Sequence, residues 1–179
     1  MAVLFDTPRL RVRHLQPADV DAYHRIIGDA EVMRYIRPPQ TFAGTREFLD
    51  KVISRYTPGS LDLRLAVEEK ETGRLIGNFA IIPLERTAQT QLGYAFIPAA
   101  WGKGYATELT HAGIQYAFEQ WGLTELAAIA EQGNHASLQV LIKCGFEKVE
   151  VYEDAWQNPL PVYTKKTLAP VFIFSTTSP

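Results

Sequence analysis

An α/β (α+β) fold is what this sequence predicts: one mixed, mostly antiparallel sheet of seven strands, with helices on both faces. Three observations carry it. Runs of apolar residues with period two alternate along the chain with runs of helical period. A charged turn, Glu69 to Gly73, joins two period-two runs as an antiparallel hairpin. Further on, helix and short apolar strand alternate, the order that lays helices against a sheet. The chain has 179 residues, 46% of them hydrophobic, enough for a sizeable core. No repeat or linker divides it, so the expectation is one domain over residues 7–168 and a C-terminal tail over 169–179.

The first strand is read at Arg9 to His14, where Leu10, Val12 and His14 alternate with arginines. Pro17 suits a first helical turn and Asp19 and Asp21 complement the dipole, so a helix is expected to Ile27 with Val20, Tyr23 and Ile27 inward. Gly28 to Thr41, closed by Pro38-Pro39, reads as a loop or short turns carrying Met33, Tyr35 and Ile36. A second helix is read over Thr45 to Tyr56, with Phe48, Leu49, Val52 and Ile53 on one face and Pro58-Gly59 beyond it. The hairpin places Leu63, Leu65 and Val67 on one strand and Leu75, Gly77 and Phe79 on the next. Gln89 to Ile97 extends this meander and ends at Pro98. Gly102 and Gly104 then open a helix to Trp121, Leu126 to Ala130 forms a short buried strand, and a helix from Asn134 to Cys144 stops at Gly145. Two last strands, near Phe146 to Tyr152 and Leu160 to Leu168, flank an acidic, aromatic loop, Glu153 to Asn158.

Charge and cysteine content exclude several classes. Eighteen basic against twenty acidic residues give a formal charge of −2, which predicts neither a nucleic-acid nor a membrane partner. Cys144 is the sole cysteine, so no intramolecular disulfide forms. Without a leader pattern or an 18-residue apolar run, the expected location is the cytoplasm. His14, His24, His111 and His135 lack metal spacing, so no metal is expected, and no Gly-x-Ser-x-Gly elbow marks a serine nucleophile. Cys144, at an apolar helix end, reads as a buried thiol.

The chemistry-bearing stretch is Gln91 to Thr107. Its strand, glycine turn and helix aim the unpaired N–H groups of a helix start, and the positive end of its dipole, at one spot where an anion such as phosphate is favoured. It is not a dinucleotide fingerprint, since Thr107 stands where the third glycine is required, nor a nucleotide P-loop, since no Lys-Ser or Lys-Thr pair follows. An ordinary strand-to-helix turn is the plain alternative. Asn134 and Ser137 start the later helix, where the plain reading is an N-cap and its first-turn partner.

Taken together, TPRLRVRHLQPADVDAYHRII and EVMRYI near the start, LGYAFIP, WGKGYATE and NHASLQVLIKCGFEKVE resemble the GCN5-related N-acetyltransferases, especially the branch that acetylates ribosomal-protein N-termini. The resemblance covers roughly Thr7 to Thr167. It implies that the strands at Gln91 to Ile97 and Leu126 to Ala130 splay apart to admit acetyl-CoA as co-substrate. Its pantetheine would pair with the strand backbone, with Phe96, Ile97 and Trp101 among the cofactor-binding residues and the pyrophosphate on the backbone N–H groups of Gly102, Lys103, Gly104, Tyr105, Ala106 and Thr107. Trp101 replaces the usual Arg or Gln of the turn, which leaves the backbone cradle but not that side-chain contact. The resemblance places Asn134 against the cofactor and Ser137 near the sulfur, as a general acid for the leaving thiolate.

No base stands out. Many relatives carry Glu where this chain has Gln91, and an amide takes no proton; the options are another carboxylate such as Glu68, or ordered water. Deprotonating a lysine amine at pH 7 costs about 4.6 kcal/mol, an α-amine only about 1 kcal/mol. The acceptor is therefore expected to be a peptide or protein N-terminus or a small amine, attacking directly in a ternary complex. Glu150, Glu153 and Asp154 beside Trp156 are expected to attract it, with Tyr35, Tyr56 and Tyr163 lining its side. The rival reading is a catalytically idle acyl-CoA-binding module. A monomer or a homodimer is expected.

Overall fold

The computed structural model describes residues 3–84, 89–131, 133–152 and 171–177. Its strands are β1 (Val3–Asp6), β2 (Leu10–His14), β3 (Leu63–Glu69), β4 (Arg74–Pro83), β5 (Thr90–Phe96), β6 (Glu125–Glu131), β7 (Glu147–Tyr152) and β8 (Val171–Thr177). The helices are α1 (Val20–Ile27), α2 (Phe42–Ile53), α3 (Tyr105–Trp121) and α4 (His135–Lys143). Among the described residues the strands form one sheet in the order β1-β2-β3-β4-β5-β6-β8-β7. Every neighbouring pair is antiparallel except β5 and β6.

The expected seven strands become eight, and the tail is corrected. Residues 171–177, assigned to a tail beyond the domain, form β8, which pairs with β6 from Glu125↔Thr177 to Glu131↔Val171 and with β7 on its other side. β1 is also new: Val3–Asp6 is short and sits before Pro8, so no long alternation marked it. The strand expected over 160–168 lies outside the described residues. α2 starts at Phe42 rather than Thr45, because the Thr41 hydroxyl caps it by accepting the Gly44 N–H at 3.1 Å.

Strand alternation divides the core into two layers. Leu65, Val67, Phe79, Ile81, Leu92 and Phe96 pack on one face with Leu109 and Ala117 of α3 and Leu141 of α4. Ala66 and Ala95, pointing the other way, meet Tyr23, Ile26 and Ile27 of α1 and Leu49 and Val52 of α2. α3 lies so close to the sheet that a Cβ on Gly113 would come within 2.3 Å of the Phe79 ring. Only glycine permits that approach.

The site is positioned by the one parallel pair. β5 and β6 are each seven residues long, yet they are joined in register only at Gln91↔Ala127. Beyond that link the strands part, and the backbone groups facing the gap are left for another partner.

Candidate active site

At the far end of β5 the chain makes a short 3₁₀ turn, Pro98–Ala100, and enters the glycine turn. Gly102 and Gly104 have φ of 73° and 78°, left-handed values that L side chains seldom adopt. Gly104 is the N-cap of α3, and the first bond of that helix runs from the Glu108 N–H to the Gly104 carbonyl at 3.1 Å. The N–H groups of Tyr105, Ala106 and Thr107 precede it and have no intrahelical acceptor. A Cβ on Gly102 would meet nothing within 4 Å, so the outer side of the turn is open. Exposed Trp101 turns its indole inward, donating Nε1–H to the Phe96 carbonyl at 2.7 Å. Its side chain thus closes the turn onto β5, and Ile97 beside it donates its N–H to the Ile76 carbonyl.

Arg9, unremarked in the sequence, braces this turn from outside. Its guanidinium donates to the Lys103 carbonyl at 2.9 Å and to Glu108 at 2.7 Å, and lies 4.4 Å above the Tyr105 ring. Glu108 also accepts from the Thr7 hydroxyl at 2.5 Å, and Tyr105 donates to Glu69 at 2.7 Å. Hydrogen bonds from Thr7 and Arg9 hold the Glu108 carboxyl below the usual carboxylate range, against the upward pull of its burial.

α4 begins on the other wall of the split. Asn134 is its N-cap, the side-chain oxygen accepting the Ser137 N–H at 3.1 Å. The Ser137 hydroxyl lies 3.3 Å from the Tyr94 hydroxyl of β5, so the two walls meet through a pair of O–H groups. Burial pushes the Tyr94 phenol up to about 12, keeping it protonated near neutral pH. Sequence reading found Ser137 but not Tyr94, which looked like one more large strand residue. The Cys144 thiol, buried and pushed up to about 11, points at the Thr107 carbonyl at 3.7 Å, as an inert packing group.

The opposite face of the split is set by the same alternation. Gln91, Gly93 and Ala95 of β5 and Ala127, Ile129 and Glu131 of β6 point to the α1 and α2 side. A Cβ on Gly93 would meet nothing within 4 Å, leaving that surface open. Tyr35 approaches the chain just past β6: its ring stands 3.3 Å from where a Gly133 Cβ would be. Ala95 and Glu131 each stand four residues past the Gln91↔Ala127 link, so Glu131 flanks the open part of the gap. Its carboxyl is partly buried, has no hydrogen bond or ion pair among the described residues, and is raised by desolvation.

Tyr56, expected on the acceptor side, and Glu68, one option for the base, are structural instead. Tyr56 is a clamp: its hydroxyl accepts the Leu15 N–H at 3.0 Å and donates to the Arg64 carbonyl. Glu68 accepts from Arg13 Nε at 2.6 Å, and the same buried guanidinium grips both oxygens of Asp19 at 2.7 and 2.8 Å. A carboxylate held this way does not serve as a free base. Trp156, Tyr163, Glu153 and Asp154 lie outside the described residues. Among the described residues no group of three His, Cys, Asp or Glu side chains is placed to hold a metal, and no helix is long and apolar enough to cross a membrane.

The sheet opened at one parallel pair, with a glycine-started helix beside the opening, has the form that the resemblance to the acetyltransferases implies. Residues 9–147 match the Acetyltransferase (GNAT) domain, and the chain belongs to that family. It is 30% identical over 164 residues to the uncharacterized protein YkkB of Bacillus subtilis (strain 168), covering 90% of this chain and 94% of YkkB. RimL, the ribosomal L7/L12 alpha-N-protein acetyltransferase solved with coenzyme A, matches with TM-score 0.81 at 13% identity, over 98% of both chains. Spermidine N-acetyltransferase from Vibrio cholerae, solved with CoA and spermine, matches with TM-score 0.76 at 20% identity, over 94% of this chain and 95% of that one. At such identities the two structures speak for the fold. Family membership makes this chain an acetyl-CoA-dependent N-acetyltransferase.

Proposed function

We propose that the protein transfers the acetyl group of acetyl-CoA to a primary amine, on a small molecule or a peptide N-terminus, by direct attack in a ternary complex. The observation that carries this is the parting of β5 and β6 after Gln91↔Ala127, which opens the sheet between two chemically different faces. On the α3 and α4 side are the helix-start N–H groups of Tyr105, Ala106 and Thr107 and the Tyr94–Ser137 hydroxyl pair. On the α1 and α2 side are open Gly93, Tyr35 and Glu131.

The turn from Trp101 to Thr107 suits a pyrophosphate, with the α3 dipole favouring its charge. Phe96 and Ile97 line the route from that turn into the gap. Acetyl-CoA supplies a thioester whose thiolate leaves readily, since an ordinary thiol has a pKa of about 8.5. Ser137, backed by Tyr94, hydrogen-bonds the departing sulfur and relays to it a proton drawn from solvent, so that the serine ends the step protonated, and Asn134 holds Ser137 in place by capping α4. Glu131, on the opposite face, takes the proton lost by the amine as its nitrogen bonds to the acetyl carbon. Burial raises this carboxyl toward the pH at which a base operates, which Gln91 cannot supply.

Isothermal titration with acetyl-CoA, together with thiol release over a panel of amines, tests the reading. Binding and turnover of at least one amine are expected. Binding without turnover of any amine would instead support the idle acyl-CoA-binding module, and absence of binding would end both. Gly104→Glu places a bulky negative charge in the cradle and is expected to abolish CoA affinity; unchanged affinity refutes the phosphate placement.

A further inference from the structure

Arg37 stands out among the charged groups on the α1 and α2 side. Its guanidinium lies 4.8 Å above the Phe48 ring of α2, and the Arg64 guanidinium of β3 lies 6.0 Å from the same ring. Phe48 in turn stacks on Tyr23 of α1, whose hydroxyl lies against the Asn78 side chain of β4. Asn78 sits opposite Ala95 on β5, in the stretch where that strand has left β6. Arg37 therefore belongs to the α1 and α2 side of the sheet, the side onto which the split opens beside Ala95, and it lies two residues along the chain from Tyr35, whose ring adjoins Gly133 just past β6.

What distinguishes Arg37 from Arg64 and Arg13 is that its charge is unmatched, and from Arg34, which is exposed and also has no ion pair among the described residues, that its Nε is buried. Arg64 is bonded to Asp62, and Asp62 also receives Arg55 at 3.6 Å. Arg13 is fully matched by Asp19 and Glu68. Arg37 has no carboxylate partner among the described residues, and its Nε is buried with no acceptor. Burial lowers its affinity for its proton, and the nearby Arg64 adds to this, against an opposing pull from Tyr23. A guanidinium in such a place is costly unless something negative and hydrogen-bonding arrives.

We infer that Arg37 binds an anionic group of the acceptor, and that the amine acetylated is a small molecule carrying its own carboxylate, as a free amino acid does. This rests on the acetyl-transfer reading above. Arg37 matches a planar carboxylate with paired N–H donors, and its guanidinium rests over the Phe48 ring. Glu131 and Arg37 are then two unpaired groups of opposite sign on one face, as an amine and a carboxylate on one molecule require. A polyamine, with no anion to offer, leaves Arg37 unmatched and adds like charge beside it.

The test is thiol release by the wild-type protein with matched pairs of acceptors: α-, β- and γ-amino acids against their amides and decarboxylated amines, with spermidine as the polycation. The carboxylate member of at least one pair is expected to have a kcat/KM about 10- to 100-fold higher, the range of one charge-assisted hydrogen-bond set. Arg37→Gln should erase that preference through KM while CoA affinity and the melting temperature stay near wild type, and Arg37→Lys should restore part of it. Equal or better turnover of the neutral members or of spermidine overturns the inference and leaves acetyl transfer standing. Turnover of no amine, with acetyl-CoA still bound, overturns the transfer reading and this inference with it.

Discussion

The Arg9 guanidinium and the Glu108 carboxylate meet through Nε and Nη2, each 2.7 Å from Oε2, across 99 residues of chain. With the Arg9 bond to the Lys103 carbonyl, they tie the turn before β2 to the glycine turn before α3. Arg9 is half exposed, so the pair adds no more than about 1 kcal/mol to stability. Its larger effect is expected on the turn. Arg9→Ala should weaken CoA binding by about 5- to 10-fold, roughly 1 kcal/mol, while the melting curve barely moves. Calorimetric titration beside a thermal melt separates the two, and a variant that loses stability but not affinity assigns the pair a structural role only.

Asp19 and Glu68 share one buried arginine, and removing Asp19 leaves Arg13 short of its bidentate partner. Asp19→Ala is expected to cost about 3–5 kcal/mol in denaturant unfolding. Glu68→Gln, by contrast, should leave the pH profile of kcat/KM unchanged in shape. A lost limb in that variant would return Glu68 to the role of base.

Gly113 lies under the Phe79 ring, and a methyl group there has no room. Gly113→Ala should destabilise by about 1–3 kcal/mol through overpacking, lowering the melting temperature by roughly 2–12 °C for a chain of this size. Restoring space with Phe79→Leu in the same chain should recover part of the loss; additive losses would show that the contact is not the cause.

Glu131 has its carboxyl raised by burial, so the folded protein holds that proton to a higher pH than the unfolded chain does. Its contribution to stability is therefore greatest below the ordinary carboxylate pKa and is lost as pH rises through the raised folded value. Activity runs the other way, since a base works only when deprotonated. The acid limb of kcat/KM should have its midpoint above about 4.3, the ordinary glutamate value. Glu131→Gln should remove that limb and lower kcat by about 10²- to 10⁴-fold, and an unaltered limb would remove Glu131 from the mechanism.

Cys144, pushed up to about 11, should react with iodoacetamide at pH 8 about a hundredfold more slowly than a free cysteine. Alkylation followed by mass spectrometry, native against urea-unfolded, reads this directly. Equal rates would place the thiol at the surface.

The helices and the meander were legible because their signals are local. Pro17, the Thr41 and Asn134 caps and Gly145 each mark a helix end within a few residues, and the charged turn at Glu69 to Gly73 marks the hairpin. The glycine turn was legible for the same reason. β8 was not, because an apolar run near the C-terminal end of the sequence carries no sign of the partner it will find: its neighbours, β6 and β7, are specified by pairing over long separations. The site residues missed in sequence share that cause. Tyr94 acquires meaning only beside Ser137, Arg9 only beside Glu108, and Arg37 only by the absence of a carboxylate near it. Conversely, Glu68 looked available because nothing local to it predicts Arg13 on the neighbouring strand.

The place of β8 between β6 and β7 bears on how the protein is made. A ribosome delivers β6 and then β7 before it delivers the strand that joins them. Until residues 171–177 emerge, β6 presents an open hydrogen-bonding edge and β7 has no place in the sheet, an interval in which a nascent chain is open to wrong pairing or to a chaperone. The wall of the cleft that carries Glu131 is thus completed last in synthesis, after the wall formed by β5 and the glycine turn.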